Sequence, residues 1–230
     1  MVSKVRIKHL YYLAILVMAI QVIGSFLYFI SADSVGAVQA IYVTAKILMF
    51  VIPLVLFIVP FQTPVGFARS GWLRSMIYGL AFGLLTFGLI LSTFFLFEEY
   101  LLQYAPLIND KINDVGISGY FILAALGFSF LHSAFEEYVW RWFTFGVFKM
   151  EMSWLKSALI SSAAFTLHHF IILSQFFPWH LTLFFGLCVG VGGLVWCFIY
   201  QKTNNIVGSW IAHVFADLAI FTVGYLFLIS

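Results

Sequence analysis

The chain has 230 residues, of which 63% are hydrophobic and only 9% are Asp, Glu, Lys or Arg, and its mean hydropathy is +1.07. Soluble domains carry about a quarter charged residues, so the composition excludes an ordinary soluble protein and marks an integral membrane protein. No hydrophilic stretch is long enough for a second domain, and a net charge of +2 does not by itself select a partner.

In chain order, a basic start (Lys4, Arg6, Lys8) precedes an apolar run over about 10–30. The run is longer than a signal-peptide core and reads as a retained first span, with cleavage near 31–37 as the alternative. Further runs long enough to cross a bilayer lie at about 38–60, 73–97, 119–148, 157–177, 181–200 and 206–228. The connections carry turn chemistry: SADSVGA at 31–37, QTPVGFARSG at 62–71, PLINDKINDVGISG at 106–119, PW at 178–179 and QKTNN at 201–205. The expected fold is all-α, a polytopic membrane helix bundle of about seven transmembrane helices. The expected organisation is a set of N-terminal helices over 1–118 packing onto a core over 119–228, the whole forming one compact domain.

Basic residues favour cytoplasmic loops. With the N-terminus inside, that side receives Lys4, Arg6, Lys8, Arg69, Arg74, Lys149, Lys156 and Lys202, and the outer side receives Lys111. The expected location is therefore the cell membrane, multi-pass, with a cytoplasmic N-terminus. Gly79 and Gly83 in the third span, and Gly186, Gly190 and Gly193 in the sixth, suit close helix contact. Cys188 and Cys197 lie on opposite faces of one helix and are expected to be small buried hydrophobes without a disulfide. The Phe and Trp residues are expected mostly at the lipid face and interface.

Ionisable residues at membrane depth are costly and by default mark a functional site. Here they are Lys46, His132, Glu136, Glu137, Arg141, His168, His169, His213 and Asp217. Ser129, His132, Ser133 and Glu136 share a stripe at helical spacing. Glu137 and Arg141 are four apart with the acid first, the favourable order for an ion pair. Adjacent glutamates point about 100° apart, so Glu136 is left without an obvious charge partner on its own helix and is free to act as a general base. His213 and Asp217 are also four apart, so the carboxylate can orient the imidazole. Counting about 1.5 Å per residue from the helix ends brings Glu136, His169 and His213 to one layer, a cavity in the cytoplasmic half of the bilayer. Two histidines and a carboxylate at one level could activate a water, or His169 and His213 could help hold a divalent metal such as zinc. Lys46 has no motif and is expected to pair with an unidentified carboxylate or to snorkel.

Three motifs then follow in order. Glu136-Glu137-Tyr-Val-Trp-Arg141 fits E-E-x-x-x-R, Phe165-Thr-Leu-His-His169 fits F-x-x-x-H, and His213-Val-Phe-Ala-Asp217 fits H-x-x-x-(N/D). Together they resemble the CAAX protease and bacteriocin-processing enzyme (CPBP, or Abi) family of intramembrane proteases, which includes the type II CAAX prenyl endopeptidase. The resemblance implies an intramembrane endopeptidase acting on a membrane-associated peptide or protein. It implies that Glu136 polarises a water with His169 as its partner, that His213 and Asp217 hold the oxyanion or the water, and that Glu137 with Arg141 fixes the helix. It leaves open whether a metal takes part, and spacing from Phe165 favours His169 over His168. The expected partners are the lipid bilayer and a peptide or membrane-protein substrate, with no nucleic acid. A bacteriocin or pheromone precursor fits the short loops better than a prenylated protein. The reading from another class is a non-catalytic immunity or scaffold protein that binds a peptide or membrane enzyme in the same cavity.

Overall fold

The computed structural model describes residues 4–31, 34–58, 71–114 and 118–229. Arg69 and nearly all of the connection 62–71 lie outside the described residues. The elements are α1 (Lys4–Phe26, prolonged by a π turn Leu27–Ser31), α2 (Val35–Ile58), α3 (Trp72–Leu96), α4 (Glu98–Leu102), α5 (Ala105–Asp114), α6 (Ser118–Phe148), α7 (Trp154–Leu173), α8 (Trp179–Thr203) and α9 (Ile206–Ile229), with no strand among the described residues. All but α4 and α5 are long and apolar enough to cross a membrane, which gives the seven spans read from hydropathy. The protein is a polytopic, multi-pass helical membrane bundle.

Local chemistry sets several ends. The Ser153 hydroxyl accepts from the Lys156 backbone N–H and starts α7. Pro178 stands at the N-cap of α8, where its missing N–H costs nothing. Asn204, left-handed at φ 50°, stops α8 and turns the chain into α9. Large apolar side chains such as Leu73, Leu96, Leu123 and Leu131 remain exposed, as a lipid-facing surface requires.

The connection PLINDKINDVGISG is not an irregular loop, because Ala105–Asp114 is helical. Ala105, Ile108 and Ile112 recur at helical spacing and bury against Phe94, Leu101, Phe121 and Phe227. Asn109 Nδ2 also donates to the Phe227 carbonyl at 3.1 Å, tying α5 to the end of α9. The turn-forming residues conceal this apolar stripe, so the segment reads as loop. Of the cysteines, Cys197 is buried and Cys188 is exposed, and both are free thiols. The opposite-face geometry holds, but Cys188 is not a core residue.

Small residues set the closest helix approaches. α3 runs along α9 with Gly79 against Gly208, where a Cβ on Gly79 would stand 2.6 Å from the Gly208 carbonyl oxygen. α8 packs on α7 with Gly190 against Thr166 and Gly193 against Ser162. Only backbone could move to admit a methyl group at Gly79. Gly79→Ala is therefore expected to destabilise the protein by about 1–3 kcal/mol, seen as a lower thermal midpoint in detergent. Gly88→Ala, on the same helix with nothing within 4 Å of the new methyl, should leave the midpoint unchanged or raised.

Candidate active site

α6 holds the glutamates in an unusual frame. It switches to π geometry at Phe128–His132 and again at Tyr138–Phe145, with one regular turn, Ser133–Glu137, between. A π segment shifts backbone pairing and frees carbonyls, which in lipid must find other donors. They find them in side chains. Thr144 Oγ1 donates to the Val139 carbonyl at 2.8 Å, Ser161 Oγ of α7 to that of Trp140 at 2.9 Å, and Trp210 Nε1 of α9 to that of Phe130 at 3.0 Å. Ser133 Oγ donates to the Ser129 carbonyl. The neighbouring helices therefore brace the segment that presents Glu136 and Glu137.

Glu137 is fully buried. Its Oε1 lies 2.9 Å from Arg141 Nη1, the pair expected from spacing, and accepts a second contact from His213 Nδ1 at 2.9 Å. Because a carboxylate only accepts, Nδ1 must be the donor, which fixes the imidazole with Nε2 turned toward Glu136 and Asp217. The glutamate thus orients the histidine of α9 as well as locking α6. Asp217, the neighbour expected from spacing, lies on the other side at 3.6 Å from Nε2. The His213 ring stacks on Trp196 of α8 with centroids 4.0 Å apart. The Arg141 guanidinium lies 4.7 and 4.6 Å from the ring centroids of Phe165 and Trp196, whose planes stand 77° apart. Trp140, Phe165 and Trp196 are buried around the site, in contrast to the lipid-facing role expected of most aromatics.

Glu136 is 2% exposed and, contrary to the expectation from its own helix, has charge neighbours both there, in His132, and on other helices. Lys46 Nζ of α2 lies 3.9 Å from Oε1. His132 Nε2 and His168 Nε2 each lie 3.7 Å from Oε1, and His213 Nε2 lies 3.7 Å from Oε2. All four separations exceed a direct hydrogen bond, the spacing at which an intervening water becomes relevant. Of the two expectations for Lys46, an unidentified carboxylate partner or snorkelling, the structure gives the first, with Glu136 as a partner that no spacing rule links from α2 to α6.

The tandem histidines take different places. His168 is 1% exposed, lies parallel to Trp140 with centroids 5.8 Å apart, and turns Nε2 to Glu136. His169 is half-buried, and its Nδ1 donates to the Phe165 carbonyl at 2.9 Å, which leaves the lone pair of the neutral ring on Nε2. The two rings lie 4.0 Å apart.

A metal does not fit this donor set. Among the described residues, no group of three or more His, Cys, Asp or Glu side chains is arranged to hold an ion, so His169 and His213 lack a converging third ligand. The Lys46 ammonium beside Glu136 would also repel a divalent cation.

The bundle and its buried glutamates and histidines define a membrane protein with a polar site inside its helices. Residues 118–219 match the family model described as type II CAAX prenyl endopeptidase Rce1-like. The match covers a little under half of the chain and is consistent with the CPBP resemblance. No curated protein and no solved structure matches the chain.

Removing one member of a buried ion pair strands the other's charge. Arg141→Met is expected to cost about 3–5 kcal/mol, read as a large drop in thermal midpoint. It should also disorder His213, seen by NMR of its ring through loss of a single imidazole environment.

Proposed function

We propose that the protein is an intramembrane endopeptidase that hydrolyses a peptide bond of a membrane-associated peptide or protein without a metal. The observation that carries this reading is Glu136, a buried carboxylate ringed by Lys46, His132, His168 and His213 at 3.7–3.9 Å. At those separations none of the four donates a direct hydrogen bond to the carboxylate, whose oxygens can still accept from a water.

In the proposed mechanism Glu136 takes a proton from a water as the water oxygen attacks the scissile carbonyl carbon. His169 is the water's second partner. Its Nε2 lone pair accepts from the water, and its partial exposure suits a group that must meet substrate, whereas His168 is enclosed under Trp140 and packs behind the carboxylate. His213, held at Nδ1 by Glu137, offers a proton on Nε2 to the developing oxyanion. Asp217 faces the same nitrogen and supports its charged form. Collapse of the tetrahedral intermediate breaks the carbon–nitrogen bond, and Glu136 returns its proton to the leaving amine. Glu137 and Arg141 keep α6 and the His213 ring in register.

The basic residues on one side of the spans support a cytoplasmic N-terminus in the cell membrane, with cleavage in the cytoplasmic half. The proposed substrate is a peptide processed at the membrane, such as a bacteriocin or pheromone precursor, because the loops offer no soluble recognition domain.

The test is cleavage of a membrane-inserted reporter peptide by purified protein. Glu136→Ala and His169→Ala should each lower kcat by at least about 100-fold with thermal midpoints kept, and His213→Ala should lower kcat as much while also lowering the midpoint, because it takes a partner from buried Glu137. His168→Ala should chiefly lower the midpoint. Full activity of Glu136→Ala would remove the mechanism, and an active His169→Ala beside a folded but inactive His168→Ala would exchange the two histidines.

A further inference from the structure

The proteolytic mechanism leaves a line of buried polar groups in α1 and α2 unused, and that line ends at the site. Lys46 Nζ, 3.9 Å from Glu136 Oε1, donates to Gln21 Oε1 at 3.2 Å. Gln21 Nε2 donates to Ser25 Oγ at 3.4 Å, and Ser25 Oγ and Tyr28 OH share a hydrogen bond of 3.1 Å. Gln21, Ser25 and Tyr28 are buried in a helix whose other buried residues, among those described, are apolar or small, such as Leu10, Ala14 and Val17. A lysine in a membrane helix ordinarily stretches toward the interface. This one turns inward, 5.2 Å from the Phe135 ring centroid and 5.6 Å from that of Tyr42.

We infer that Lys46 is a positioning residue for the proposed reaction: anchored by Gln21, it holds Glu136 in place as a carboxylate, so that α1 and α2 complete a site otherwise built by α6, α7 and α9. Lys46 lies outside the matched region 118–219. The inference rests on Glu136 being the base. The groups facing Glu136 are Lys46 on α2, His132 on α6, His168 on α7 and His213 on α9, with Tyr28, Tyr42, His169, Glu137 and Asp217 around them. The Lys46 ammonium stands 3.9 Å from the Glu136 carboxylate, and opposite charge at this separation favours the ionised carboxylate.

The experiment uses the full chain in nanodiscs as wild type, Lys46→Met, Lys46→Arg, Gln21→Leu and Glu136→Gln, with two readouts. One is infrared titration of the Glu136 carboxyl, recognised by its loss in Glu136→Gln. The other is the pH profile of reporter-peptide cleavage. In Lys46→Met the protonation midpoint of Glu136 should rise by a pH unit or more. On the acid limb kcat should then fall about tenfold per unit, with KM little changed and activity recovering as pH rises. Lys46→Arg should keep both readouts near wild type, and Gln21→Leu should shift them in the same direction by less. An unmoved midpoint in a folded Lys46→Met protein, or a loss of activity equal at every pH, overturns the inference. If the wild type cleaves nothing while the midpoint still moves in Lys46→Met, the proteolytic reading fails and the hold of Lys46 on Glu136 stands.

Discussion

A carboxylate inside a membrane bundle cannot be left to itself, and the sharing of Glu137 is the constraint on which the site depends. One oxygen meets both the Arg141 guanidinium and the His213 imidazole. Neither partner could be removed without stranding charge where water cannot reach it. The arginine in turn rests against Phe165 and Trp196, and the histidine stacks on the same Trp196. Four helices, α6 to α9, therefore meet through one ion pair and its aromatic walls. Glu136, one residue earlier, takes no part in that ion pair, and its Oε2 lies 3.7 Å from the other nitrogen of the same imidazole.

The two π segments of α6 serve the same end from the backbone. A regular helix would satisfy its own carbonyls and need nothing from its neighbours. Here the carbonyls of Phe130, Val139 and Trp140 take Trp210, Thr144 and Ser161, so α7 and α9 are pinned to α6 at defined heights. Such pinning positions the histidines of α7 and α9 against Glu136 more tightly than apolar packing alone, which has little directionality in lipid.

Much of the fold was legible because hydropathy is averaged over some twenty residues and tolerates local irregularity. The seven spans and the glycine contacts of α3 and α8 follow from composition and period. Within one helix, spacing also found Glu137 beside Arg141 and His213 beside Asp217. It failed wherever geometry crosses between helices. No rule of period connects Lys46 with Glu136, or Glu137 with His213, because those distances are set by packing. The π segments leave no distinct local pattern, and the helix Ala105–Asp114 was concealed by the Pro, Asn and Asp residues among its apolar positions. For the tandem histidines, the motif spacing selects His169 while the shorter approach to Glu136 belongs to His168. Sequence cannot weigh accessibility against distance.

The polar line through Gln21, Ser25 and Tyr28 bears on how freely the N-terminal helices could be exchanged. Helices that only shield a core from lipid are interchangeable with any pair of similar length and apolar surface. A pair that carries one member of a charge couple and the groups that anchor it is not. Grafting foreign spans in front of the Rce1-like region would preserve a bundle yet alter the electrostatic surroundings of Glu136. α1 and α2 thus reach the charges of the site they cover, even though the two parts share no motif.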